Sequence, residues 1–128
     1  MTTPEPLPTP SAPPAAGPYS PAVRAGGWVV LSGQLGLGAD GALVEGGVVA
    51  QAERAFANVG AVLADCDATW GDVARVALFL TDLSAMPAVN ASYEAALGGH
   101  RPARTTIGVA ALPMGAAIEV EAWVWRPQ

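Results

Sequence analysis

With 128 residues, 52% of them hydrophobic and 13% charged, the chain fits one compact domain whose apolar inventory must be buried in its own core or against neighbouring copies. The absence of lysine excludes Schiff-base chemistry, a pyridoxal-phosphate anchor and a phosphate-loop lysine, and the formal charge of -5 with scattered arginines argues against a nucleic-acid partner. One cysteine, Cys66, and one histidine, His100, supply neither a disulfide framework nor a zinc site, so no metal is expected.

Residues 1–16, "MTTPEPLPTPSAPPAA", hold six prolines and little that can form a core. They read as an extended, flexible tail ahead of a domain spanning 17–128. The start lacks the pattern of a signal peptide and no stretch is apolar enough to span a bilayer, so no membrane partner is expected and the cytoplasm is the default location.

From Gly17 onward, "VRAGGWVVLSG" predicts two strands joined at Ala25–Gly27, with Trp28 to Leu31 strand-forming and buried, and Asp40-Gly41 marks a turn. Apolar residues at 48, 52, 55, 56, 59, 62 and 63 follow the spacing of one helical face, predicting a helix from Val48 to about Ala64 with Cys66 as a small residue at its end. Thr69 and Asp72 form a short turn that leads into a strand, Val73 to Leu80. Ser84 is the expected N-cap of a second helix running to about Leu97, with Pro87 in its first turn and Gly98-Gly99 ending it. After "RPAR" come a strand in "TTIGVAAL", a turn at "PMGA", and a strand from Ile118 in which Ile118, Val120, Ala122 and Val124 alternate with Glu119, Glu121, Trp123 and Trp125. This order predicts an α+β domain with a mixed sheet and both helices on one face. The other face needs a cover that a chain of this length does not contain, which argues for an oligomer.

The short "LPMGA" link predicts that the last two strands form a hairpin, bringing Arg104 and Glu119 together on neighbouring strands. Such a pair is a plain ion pair in one reading, and Glu94 or Glu121 are other partners for Arg104. In a second reading the guanidinium grips a substrate carboxylate with two parallel hydrogen bonds, while Glu119 holds and activates a water.

The stretch "RPARTTIGVAALPMGAAIEVEAWV" resembles the C-terminal signature of the YjgF/RidA family of reactive-intermediate imine deaminases. The likeness continues upstream through "GPYSPAV" (17–23), "LSGQLG" (31–36), the helix with Gln51 and Asn58, "VARVALFLTDL" (73–83) and "VNASYEA" (89–95). It implies a chorismate-mutase-like α+β fold, a homotrimer packing its sheets into a central barrel, and clefts between subunits. It also implies hydrolysis of 2-imino acids to 2-oxo acids and ammonia without a cofactor. Matched by position, Arg104 would bind the substrate carboxylate and Glu119 would position the attacking water. Tyr19, Ser32, Gly33, Asn90 and Thr106 would line the cleft, Gly33 by close approach of its backbone and Thr106 through its amide.

Two departures from that pattern stand out. Thr106 occupies a position where many members carry cysteine, and the link between the second helix and "PAR" is about three residues shorter, carrying His100 and Arg101. Trp123 and Trp125 are expected to pack an interface rather than stack on substrate. The rival readings are a non-catalytic trimeric binder of small carboxylates, a ribonuclease and a chaperone-like protein. Retention of Glu119 favours catalysis over simple anion capture.

Overall fold

In the computed structural model, which describes residues 3–128, six strands form one sheet with two helices against it. The strands are β1 (Glu5–Pro6), β2 (Ala22–Ala25), β3 (Trp28–Leu31), β4 (Val73–Leu80), β5 (Ala103–Gly108) and β6 (Ile118–Trp125); the helices are α1 (Gly47–Asp65) and α2 (Met86–Leu97). Their order in the sheet is β1-β2-β3-β6-β4-β5, all pairs antiparallel except β4 and β5.

The expected hairpin of β5 and β6 does not form. The last strand instead enters the middle of the sheet between β3 and β4, and β5 lies parallel to β4 at the edge. A strand–helix–strand unit, β4-α2-β5, explains the difference, since a helical crossover brings its two strands together in parallel. The fully apolar inward row of β6, Ile118, Val120, Ala122 and Val124, is completely buried there, as a central position requires.

Helix α1 buries Ala52, Ala55, Phe56, Val59, Val62 and Leu63 at three- and four-residue spacing, as its periodicity predicts. Helix α2 turns Val89, Tyr93 and Leu97 to the same core, and the Phe56 and Tyr93 rings meet edge to face at 5.7 Å. Both helices therefore cover one face. Burying Phe56 alone contributes about 1.5–3 kcal/mol.

Ser84 is not the cap of α2. The Asp82 carboxylate accepts hydrogen bonds from the Ser84 amide and hydroxyl, a 3-10 turn occupies Leu83–Ala85, and the helix proper starts at Met86. Aspartate displaces serine because its ionised oxygen is the stronger acceptor for free amides. These bonds hold the Asp82 carboxyl below its ordinary range, the Ser84 hydroxyl contributing most.

The proline-rich segment is tied down at several points. Glu5 and Pro6 pair with Arg24 and Val23, Leu7 and Ala12 pack against the core, and the Ser11 amide and hydroxyl each donate to the Asp65 carboxylate at 2.8 Å. Sequence composition missed this anchorage because edge pairing needs only a few backbone groups and tolerates proline.

The sheet's other face is bare. Trp28, Trp123 and Trp125 are 39%, 44% and 51% exposed, and Val30 and Ile107 are exposed beside them. Exposed apolar side chains are thus gathered on this face.

Candidate active site

Cross-strand register places the two central candidates on opposite faces. Arg104 is paired with Val76 and Thr106 with Leu78, both fully buried residues of the helix-covered face. Glu119 is paired with Phe79, and Phe79 with Ile107, in the row that faces away from the helices. One chain thus brings Arg104 and Glu119 to two separate half-sites.

The first half-site lies between the start of β5 and α2. Arg104 donates from Nη1 to Asn90 Oδ1 at 2.9 Å, and its guanidinium carbon sits 4.9 Å from the centre of the Tyr93 ring. Asn90 and Tyr93 are one helical turn apart, so a single face of α2 orients the group from two sides. A cavity of about 430 Å³ opens onto Arg104, Asn90 and Tyr93, with His100, Arg101 and Glu94 on its wall. The Tyr93 hydroxyl is buried without a hydrogen-bond partner; burial raises its pKa and the Arg104 charge opposes that shift. His100 Nε2 lies 2.8 Å from the Val73 carbonyl, and Arg101 faces Glu94 across 3.6 Å in an exposed ion pair.

The second half-site surrounds Glu119. A Cβ built on Gly33 would lie 2.5 Å from the Glu119 carboxylate oxygen, so the bare backbone of Gly33 makes room for that carboxylate. Burial raises the pKa of Glu119, and the like charge of Glu121 adds to the effect. A cavity of about 90 Å³ is lined by Gly33, Glu119, Tyr19 and Met114, with Pro13–Ala16 forming one wall. The Tyr19 hydroxyl accepts from the Ala16 amide at 3.3 Å, holding that wall. Ser32 turns its hydroxyl to the Ser20 carbonyl at 2.6 Å and so braces the loop that carries Tyr19.

Gln51 and Asn58 act as scaffold. Asn58 donates to the Leu35 and Leu37 carbonyls, and Gln51 accepts from the Ala117 amide at 2.8 Å, which fixes the chain entering β6. Two contributors escaped the sequence reading: Tyr93, findable as the i+3 neighbour of Asn90 on one helix face, and Pro13–Ala16, whose position depends on distant anchors at β2 and Asp65.

The chain thus offers an oriented guanidinium on one face and a partly buried carboxylate on the other. The family described as Endoribonuclease L-PSP matches residues 9–125, and the chain belongs to it, the YjgF/RidA family. The chain is 44% identical over 117 residues to the 2-iminobutanoate/2-iminopropanoate deaminase of Capra hircus, covering 89% of this chain and 84% of that protein. It is 46% identical over 114 residues to protein DfrA of Myxococcus xanthus, covering 87% of each. The crystal structure of RidA from the Antarctic bacterium Psychrobacter sp. PAMC 21119 superposes with a TM-score of 0.89 at 39% identity, covering 93% of this chain and 97% of that one. No helix among the described residues is long and apolar enough to cross a membrane.

Proposed function

We propose that the protein hydrolyses 2-imino acids to 2-oxo acids in clefts between the subunits of a homotrimer, Arg104 coming from one subunit and Glu119 from its neighbour. The observation that carries this reading is the placement of Arg104 and Glu119 on opposite faces of one sheet. A second chain packed on the bare tryptophan-rich face supplies the missing half-site and covers the exposed apolar row. The named deaminase relatives support the same chemistry.

An imine carbon is already electrophilic when its nitrogen is protonated, so the protein needs to orient reactants more than to create a strong nucleophile. Arg104, steadied by Asn90 and Tyr93, presents its remaining N–H groups to the substrate carboxylate. The Thr106 amide and Tyr19 complete the enclosure. With the imine nitrogen protonated, Glu119 accepts a proton from water as the oxygen attacks the imine carbon, giving a neutral carbinolamine; it returns that proton to the nitrogen and takes up the hydroxyl proton as ammonia leaves. The balance is R–C(=NH)–COO⁻ + H₂O → R–C(=O)–COO⁻ + NH₃. The raised pKa of Glu119 suits it to this double role.

The test generates 2-iminobutanoate in situ by oxidation of the amino acid and follows oxo-acid release with and without the protein. Acceleration by wild type, lost in Arg104→Ala and little restored in Arg104→Lys, is expected, because lysine offers a point charge without the planar fork. Binding of 2-oxobutanoate with no acceleration would instead identify a carboxylate-binding protein.

A further inference from the structure

The chain has six arginines and no lysine, and four of the six bond to groups elsewhere in the fold. Arg24 donates to the Arg126 carbonyl, Arg54 to the Leu37 carbonyl, Arg75 to the Thr105 hydroxyl and Arg126 to the Asp67 carbonyl, at 2.7–2.9 Å. The remaining two, Arg101 and Arg104, both line the cavity of about 430 Å³ beside α2. In a chain of formal charge -5, two guanidinium groups converge on this one cavity, where Glu94 supplies the single carboxylate.

Resting on the deaminase reading above, we infer that Arg101 binds a second carboxylate at the far end of the substrate, so that the protein prefers 2-imino dicarboxylic acids to 2-imino acids with apolar side chains.

The segment carrying Arg101 is held in place for this. Gly98 and Gly99 take left-handed backbone angles that end α2 abruptly. The His100 amide bonds to the Leu97 carbonyl at 3.1 Å and its ring to the Val73 carbonyl at 2.8 Å, and Pro102 stiffens the step to β5. Arg101 itself keeps only Glu94 as a partner among the described residues, at 3.6 Å with the two side chains 81% and 67% exposed. An exposed pair at that distance is weakly held and exchanges readily for a better acceptor. A substrate carboxylate approaching the guanidinium in its plane offers two parallel hydrogen bonds where Glu94 gives one long contact. With Arg104 on the α-carboxylate and Arg101 on the distal one, a dianion meets two cations, and Glu94 serves as the resting counter-ion. A cavity of this size has room for a five-carbon diacid.

The experiment compares kcat/KM for 2-iminoglutarate and 2-iminobutanoate, each made in situ, and the affinities of 2-oxoglutarate and 2-oxobutanoate by calorimetry. Wild type should favour the diacid in both measurements, and the preference should weaken as salt is raised. Arg101→Ala should lower the diacid-to-monoacid ratio about tenfold, while Glu94→Gln, which frees Arg101, should raise it. A wild-type ratio at or below one in the affinity measurement, or a ratio that Arg101→Ala leaves where it was, overturns the inference. Because the affinity arm needs no turnover, failure of the deaminase reading is seen separately, as wild type binding oxo acids without accelerating loss of either imine.

Discussion

Gly33→Ala probes the close approach on which the Glu119 half-site depends. The new methyl carbon would stand 2.5, 2.7 and 2.9 Å from three atoms of the Glu119 side chain, where ordinary contact begins near 3.4 Å. Three atoms in line must move, so the carboxylate is displaced by about 1 Å. A misplacement of about that size in a catalytic group lowers turnover about a hundredfold, equivalent to about 2.7 kcal/mol in the barrier. Stability should change far less. Gly33 is outside the left-handed region, so alanine gains about 0.4–1 kcal/mol from a less flexible unfolded chain. That gain partly offsets an overpacking cost near the lower end of about 1–3 kcal/mol, because the half-exposed Glu119 side chain can swing aside. The imine assay should therefore show kcat collapsing while thermal unfolding shifts by a few degrees at most and 2-oxobutanoate still binds. A double-mutant cycle with Glu119→Gln isolates the cause: once the carboxylate is gone, adding Gly33→Ala should cost little more. Independent, additive losses, or a Gly33→Ala protein with wild-type turnover, would refute the role assigned to this glycine.

In the proposed mechanism the deprotonated form of Glu119 is the base, so activity should fall as pH drops through its raised pKa, placing the acid limb of kcat above the ordinary carboxylate range. Glu121→Gln, which removes the neighbouring like charge, should move that limb to lower pH, and a limb that stays put would count against the assignment. Tyr93→Phe keeps the ring beneath Arg104 and removes an unpartnered buried hydroxyl, so it should keep KM and gain slightly in stability, whereas Tyr93→Leu should raise KM several-fold. Equal KM values for the two variants would show that the ring does not steady the arginine. Sedimentation should give a trimer at micromolar concentration, and Trp123→Glu, which puts a charge on the bare face, should dissociate it with loss of the imine activity; an active monomer would end the inter-subunit reading.

Much of the secondary structure was legible in the sequence because it depends on local periodicity. The three- and four-residue spacing from Val48 to Leu63 specified α1 and its buried face, the β-branched run at 73–80 specified β4 to the residue, and the alternation after Ile118 showed which side chains of β6 face the helices. The candidate site residues were proposed only through a resemblance spanning the whole domain, since an arginine before a strand and a glutamate within one carry no signal of their own. The tertiary structure decided which strands are neighbours. Alternation tells a strand's faces apart and says nothing of its partner, and a short link between β5 and β6 resembled a hairpin until the β4-α2-β5 crossover claimed β5 as a parallel edge and left the apolar β6 to fill the centre. That same choice set Arg104 and Glu119 on opposite faces of the sheet, because register and burial across strands far apart in sequence, rather than their separation along the chain, determine which side chains can meet.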